Sequence, residues 1–178
     1  RQRQMCIRDS HNIMGAISFE KGHKEVAIKH FLKVIKLLPH HPHAYNNLGA
    51  ALSEYKATDY SDQLADSYLD ILHLKTVVRP VSMSHSIITL LKCHDTVKQV
   101  IDAARADKIE ASASEFCIGL SKIPLFMKII ELTPIPDVEI EDILVKLRRR
   151  LLLDRGSLSM NTGLLHFQVY LALQGFTN

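Results

Sequence analysis

His11 to Gly49, HNIMGAISFEKGHKEVAIKHFLKVIKLLPHHPHAYNNLG, is the stretch on which the fold turns. Asn12-Ile13-Met14-Gly15 returns as Asn46-Asn47-Leu48-Gly49, with Gly15 and Gly49 34 positions apart. A repeat of that length is the mark of paired antiparallel helices that stack side by side. Within it, Ala27, Ile28, Phe31, Val34, Ile35 and Leu38 fall on one face of a helix. Lys24, Lys29, Lys33 and Lys36 lie on the other side, with Glu25 and Lys29 as a favourable i, i+4 pair. Gly15 and Ala27 are small where two helices must approach closely. Gly22 sits between the helices, where a left-handed backbone costs glycine little. Pro39 stops the second helix, and Pro42 suits the first turn of the third.

These residues resemble a tetratricopeptide repeat (TPR): one full repeat over about Arg8 to Pro39, then the first helix of a second over Pro42 to Lys56. Ser18 departs from the large residue the family places there. Adding 34 to Gly22, Ala27, Phe31 and Pro39 lands on Lys56, Ser61, Ala65 and His73, of which only Ser61 fits. The second repeat is therefore expected to have an altered turn and an irregular second helix. The fold expected is all-α, an antiparallel helix-pair, TPR-like solenoid continued by an irregular helical extension. Its parts are 1–10, 11–56 and 57–178.

Residues 1–10, RQRQMCIRDS, carry three arginines and no apolar periodicity, and resemble translated sequencing-adapter read-through. A basic arm is the other reading. The choice bears on charge, because without Arg1, Arg3, Arg8 and Asp9 the net charge falls from +3 to +1. A nucleic-acid partner is not expected on so small an excess. The 47% hydrophobic and 23% charged fractions are those of an ordinary globular chain. No signal peptide and no membrane-length apolar run is visible. Cys6, Cys93 and Cys117 form no C-x-x-C spacing, which points to a reducing compartment, the cytoplasm, rather than a disulfide scaffold or zinc site.

Beyond Lys56, apolar periodicity marks a fourth helix around Leu64, Tyr68, Ile71 and Leu72. Further helices are expected over Val81–Lys92, Thr96–Ala104, Ser112–Ile123 and Pro124–Leu132. Thr133-Pro134-Ile135-Pro136 breaks the chain. Asp137 then caps a long helix with Ile140, Ile143, Leu144, Leu147 and Leu151 facing inward, Arg148 to Arg150 near its end and Gly156 as a stop. Gly163 to Phe176 is apolar nearly all round and is expected to be buried. Because it runs up to Asn178, the chain reads as a fragment. This half is similar to the helical connector of bacterial proteins that place TPRs before a S-adenosylmethionine-dependent methyltransferase domain.

Chemistry-bearing candidates are few. His40-His41-Pro42-His43 invites a metal, but these residues fall in a turn with no nearby Cys and distant carboxylates, so a solvated turn is the stronger reading. Cys93-His94 could suggest a nucleophile pair, but neighbours on a helix point apart. Arg148 to Arg150 could grip phosphate, or simply sit at the end of a helix that favours cations. There is no Gly-rich phosphate loop and no recognisable triad. No catalytic residue, metal or cofactor is expected. The TPR resemblance implies a groove lined by the first helix of each repeat: Asn12, Ile13, Ala16, Phe19 and Glu20, then Asn46, Asn47, Ala50, Ser53 and Glu54. Asn47 falls where many TPRs hold a ligand's backbone, whereas its counterpart Ile13 does not match, and asparagines on a plainly polar face fit as well. The function implied is an interaction scaffold for a peptide or partner domain. The alternative is a substrate-recruiting front end to a methyltransferase or glycosyltransferase.

Overall fold

A computed structural model describes residues 2–39, 42–74, 78–109, 111–153, 169 and 171, with backbone only for 2–4 and 42. Among the described residues the chain is all-helical, with nine helices and no strand. The first four are α1 (Gln2–Glu20), α2 (Lys24–Leu37), α3 (Pro42–Ser53) and α4 (Asp62–His73). The remainder are α5 (Pro80–Leu91), α6 (Asp95–Arg105), α7 (Ala113–Ser121), α8 (Pro124–Leu132) and α9 (Val138–Leu153). No helix among them is long and apolar enough to cross a membrane.

The α1–α2 connection is a Schellman turn. Gly22 takes φ +80, its N–H donates to Phe19 O and the His23 N–H to Ser18 O, each at 2.9 Å. The two helices pack closely because Gly15 leaves room for the Phe31 ring. A Cβ at position 15 would sit 2.6 Å from Phe31 Cε1. Ala27, Ile28, Phe31 and Val34 are buried as expected. Leu38 is not part of that stripe: α2 ends at Leu37, Leu38 turns into extended backbone, and it is 36% exposed. Lys29 Nζ meets Glu25 Oε1 at 2.6 Å on the outer face. α1 runs without a break from Gln2, so residues 2–10 continue the helix, with Arg8 Nη2 beside Asp9 Oδ1 at 2.6 Å.

The second pair corrects the expected irregularity. α3 ends at Ser53 rather than Lys56, and after a turn over 54–61 the chain forms a regular helix α4. Its buried Ala65, Tyr68, Ile71 and half-exposed Leu64 correspond to Ile28, Phe31, Val34 and Ala27 at a separation of 37, not 34. The second helix has thus kept its inward face and been displaced by three positions. Tyr68 lies fully buried where Phe31 lies in the first pair, and its hydroxyl donates to Leu52 O at 3.0 Å.

α2 packs on α1 and α3, α3 on α4 and α5, and α1 also touches α3. α8 contacts α4, α5 and α7, joining the first pairs to the later helices, where α6, α7 and α9 pack on one another. One apolar core runs through all of this, with Phe31, Tyr68, Ile87, Phe126 and Leu147 among its members. Asp137 caps α9 as expected, accepting from the Ile140 N–H at 3.1 Å, and Ile140, Ile143, Leu144, Leu147 and Leu151 are buried. A charged clamp holds the start of α9. Lys92 Nζ reaches Asp137 Oδ2 at 2.7 Å and Glu139 Oε2 at 3.1 Å, while Arg105 Nη2 reaches Glu139 Oε1 at 2.8 Å. Gly156 and most of 163–176 lie outside the described residues. Of that segment, Leu171 is buried but Val169 is 48% exposed.

Candidate functional site

The residues expected to line a groove on α1 and α3 come together in part. Asn47 Nδ2 donates to Asn12 Oδ1 at 3.2 Å, a bond that ties the two helices along their shared edge. Beside it, Ala16 and Phe19 are half-buried, whereas Glu20, Asn46 and Ala50 are exposed and Ile13 is 59% exposed. Ile13, Met14 and Ile17 thus leave an apolar strip open on α1. The last two candidates are directed elsewhere. Ser53 Oγ donates back to Gly49 O at 2.8 Å, while Ser53 O accepts from Ser86 Oγ at 2.6 Å. Glu54 lies past the end of α3, and its carboxylate is held by Lys24 Nζ at 2.7 Å. The Asn12–Asn47 region is therefore the contiguous part of the face.

The other candidates serve packing. His94 Nδ1 accepts from the Thr96 N–H at 3.1 Å, capping α6, and its ring meets Tyr60 edge-on with centroids 4.6 Å apart. Cys93 Sγ points to Thr89 O at 3.4 Å, so the adjacent thiol and imidazole have separate partners. Burial pushes the Cys117 thiol up to about 12, keeping it protonated and unreactive. His40 and His41 lie outside the described residues, and His43 is exposed. Among the described residues no three His, Cys, Asp or Glu side chains gather in a way that could hold a metal ion. Arg148 is half-buried, and Arg149 and Arg150 are exposed.

Two features escaped the sequence reading. His11 Nδ1 and His30 Nδ1 lie 2.9 Å apart across α1 and α2, so one ring donates the hydrogen they share and the other accepts it. The second is a cleft of about 250 Å³ between α2 and α4, walled by the 54–61 turn. Ile28, Leu32 and Leu64 supply its apolar side, Tyr55 and Tyr60 its aromatic side, and Glu25, Lys29 and Asp59 its charges. Burial raises the pKa of both tyrosines. Glu25 adds to that at Tyr55 against the opposing pull of Lys29, and Asp62 adds to it at Tyr60, so both hydroxyls stay protonated. The only sequence signal for this cleft was the failure of the 34-residue register beyond Lys56. Comparison of the chain with models of known protein families, with curated proteins and with solved structures found no match.

Proposed function

We propose that this chain is a helical interaction module of TPR-like construction, binding a peptide or partner domain on the face shared by α1 and α3. The observation that carries this reading is the Asn12–Asn47 bond, which sets one asparagine of α1 beside one of α3. Around it lie half-buried Ala16 and Phe19 and the exposed Ile13, Asn46 and Ala50. A face of that kind offers amides to an extended backbone and an apolar strip to its side chains. Free thiols at Cys6, Cys93 and Cys117 suit a reducing compartment, in keeping with a cytoplasmic setting.

The test compares partners captured by the wild-type chain with those captured by Ile13→Glu/Asn46→Ala, two exposed positions whose replacement leaves the core alone. A partner that the double variant loses, and that a variant in the α2–α4 cleft retains, supports the α1/α3 face. Unchanged capture overturns it.

A further inference from the structure

The lengthened turn of the second helix pair does more than space α3 from α4. In the first pair, three residues link the helices and fold back on the end of α1 through backbone hydrogen bonds. In the second, eight residues leave a cleft of about 250 Å³ against α2. Its chemistry is mixed in a particular way: an apolar wall, two half-buried tyrosines, and charged groups at which Glu25 and Asp59 outnumber Lys29. Lys29 is already engaged with Glu25, and both are well exposed, so the ion pair can open at little cost. Asp62 and Asp66 add negative potential at the Tyr60 hydroxyl.

We infer that this cleft is a binding site for a guanidinium group on an apolar stem, such as the side chain of an arginine in a partner polypeptide. A guanidinium is planar and weakly hydrated, lies well against aromatic rings and pairs with carboxylates through two N–H groups. Its methylene stem suits the wall of Ile28, Leu32 and Leu64. An ammonium, more strongly hydrated and lacking the planar fork, gains less from the two tyrosines. A carboxylate ligand would meet net negative charge. The site is separate from the α1/α3 face and does not depend on it.

Titration of the full chain with N-acetyl-arginine amide, read by NMR, tests the inference. N-acetyl-lysine, N-acetyl-norleucine and N-acetyl-glutamate amides serve as comparison probes. The arginine probe is expected to shift the Tyr55, Tyr60 and Leu64 signals saturably, and to bind about threefold to tenfold more tightly than the norleucine probe. Glu25→Gln/Asp59→Asn is expected to remove most of that preference. Both replacements are nearly isosteric, and a thermal melt confirms that the variant is folded. Equal binding of the norleucine or glutamate probe, no saturable shift at the cleft, or an arginine preference that survives the double variant would each overturn the inference.

Discussion

The α1/α2 pair and the α3/α4 pair bury the same face of their second helix yet join their helices in opposite ways. The first uses a tight Schellman turn around Gly22, and Gly15 lets Phe31 drop against α1. The second spends eight residues on its connection, and Tyr68 takes the place of Phe31 with its hydroxyl satisfied by Leu52 O. Packing thus holds the inward stripe of the second helix constant while connection length is free to vary. Loop closure costs only slowly more with length, so the five added residues are thermodynamically small. What they change is the surface, where a closed turn becomes a cleft.

The largest expected effect tests whether the first pair depends on its aromatic key. Phe31→Ala should cost about 3–5 kcal/mol in chemical denaturation, the range for emptying a buried phenylalanine site. A loss below about 1 kcal/mol would break the equivalence of Phe31 and Tyr68. Next comes the lock that receives the ring. Gly15→Ala would gain up to about 1 kcal/mol of helix propensity. It would nevertheless set its Cβ 2.6 Å from the ring of Phe31, which is 1% exposed, so a net loss of about 1–2 kcal/mol is expected.

The turns themselves give a smaller contrast. Gly22→Ala meets no atom within 4 Å, so its whole penalty is the left-handed backbone, about 1 kcal/mol. Asp59, 37 positions on, has no positive φ, and Asp59→Ala should stay within about 0.5 kcal/mol. Equal losses at the two positions would remove the distinction between the turns.

The last effect separates both pairs from the later helices, which are held at the start of α9 by charge. Burial of Asp137 favours its protonated form, but the hydrogen bonds from Lys92 and the Ile140 N–H outweigh it and lower its pKa. At Glu139 the Lys92 hydrogen bond is the chief cause of a lowered pKa, with Arg105 adding to it. A lowered folded-state pKa gives stability that is present above the unfolded value and lost as pH falls through the folded one. Wild-type stability should therefore drop below the ordinary carboxylate range of about 4. Lys92→Met should flatten that drop, and denaturation curves at neutral and acid pH decide it. At the alkaline end Lys92 behaves in the opposite sense. Burial opposes its charge but the two carboxylates prevail, raising its pKa, so its contribution is lost only as pH rises past that raised value.

Features set by neighbouring residues were legible in the sequence. Gly22 in a left-handed turn, Pro42 opening α3, Pro124 opening α8 and Asp137 capping α9 each follow from local stereochemistry. Helix periodicity placed Phe31 and the α9 stripe correctly for the same reason. The length of the second turn was not legible, because the inward pattern of a helix says which face is buried and nothing about where the helix begins. Matching Phe31 to Ala65 rather than Tyr68 followed from holding the period at 34. Aligning the two apolar stripes instead would have exposed the three-position displacement, and with it the longer turn that walls the cleft. Asn12 and Asn47 could be singled out by spacing, but their mutual bond needed the helices brought together.

One more consequence follows from how α3 ends. Its closing carbonyls do not look to their own turn for all their partners: Leu52 O accepts from Tyr68, and Ser53 O from Ser86, side chains supplied by α4 and α5. Helix ends ordinarily fray, since the last carbonyls have no partner within the helix. Here the stitching comes from chain made later in synthesis, so α3 is sealed only once α5 is in place. The smallest stretch that opens and closes as one cooperative unit should then extend past the second pair. Amide exchange in residues 11–56 alone should be fast along α3, and slow when the chain continues through Leu91.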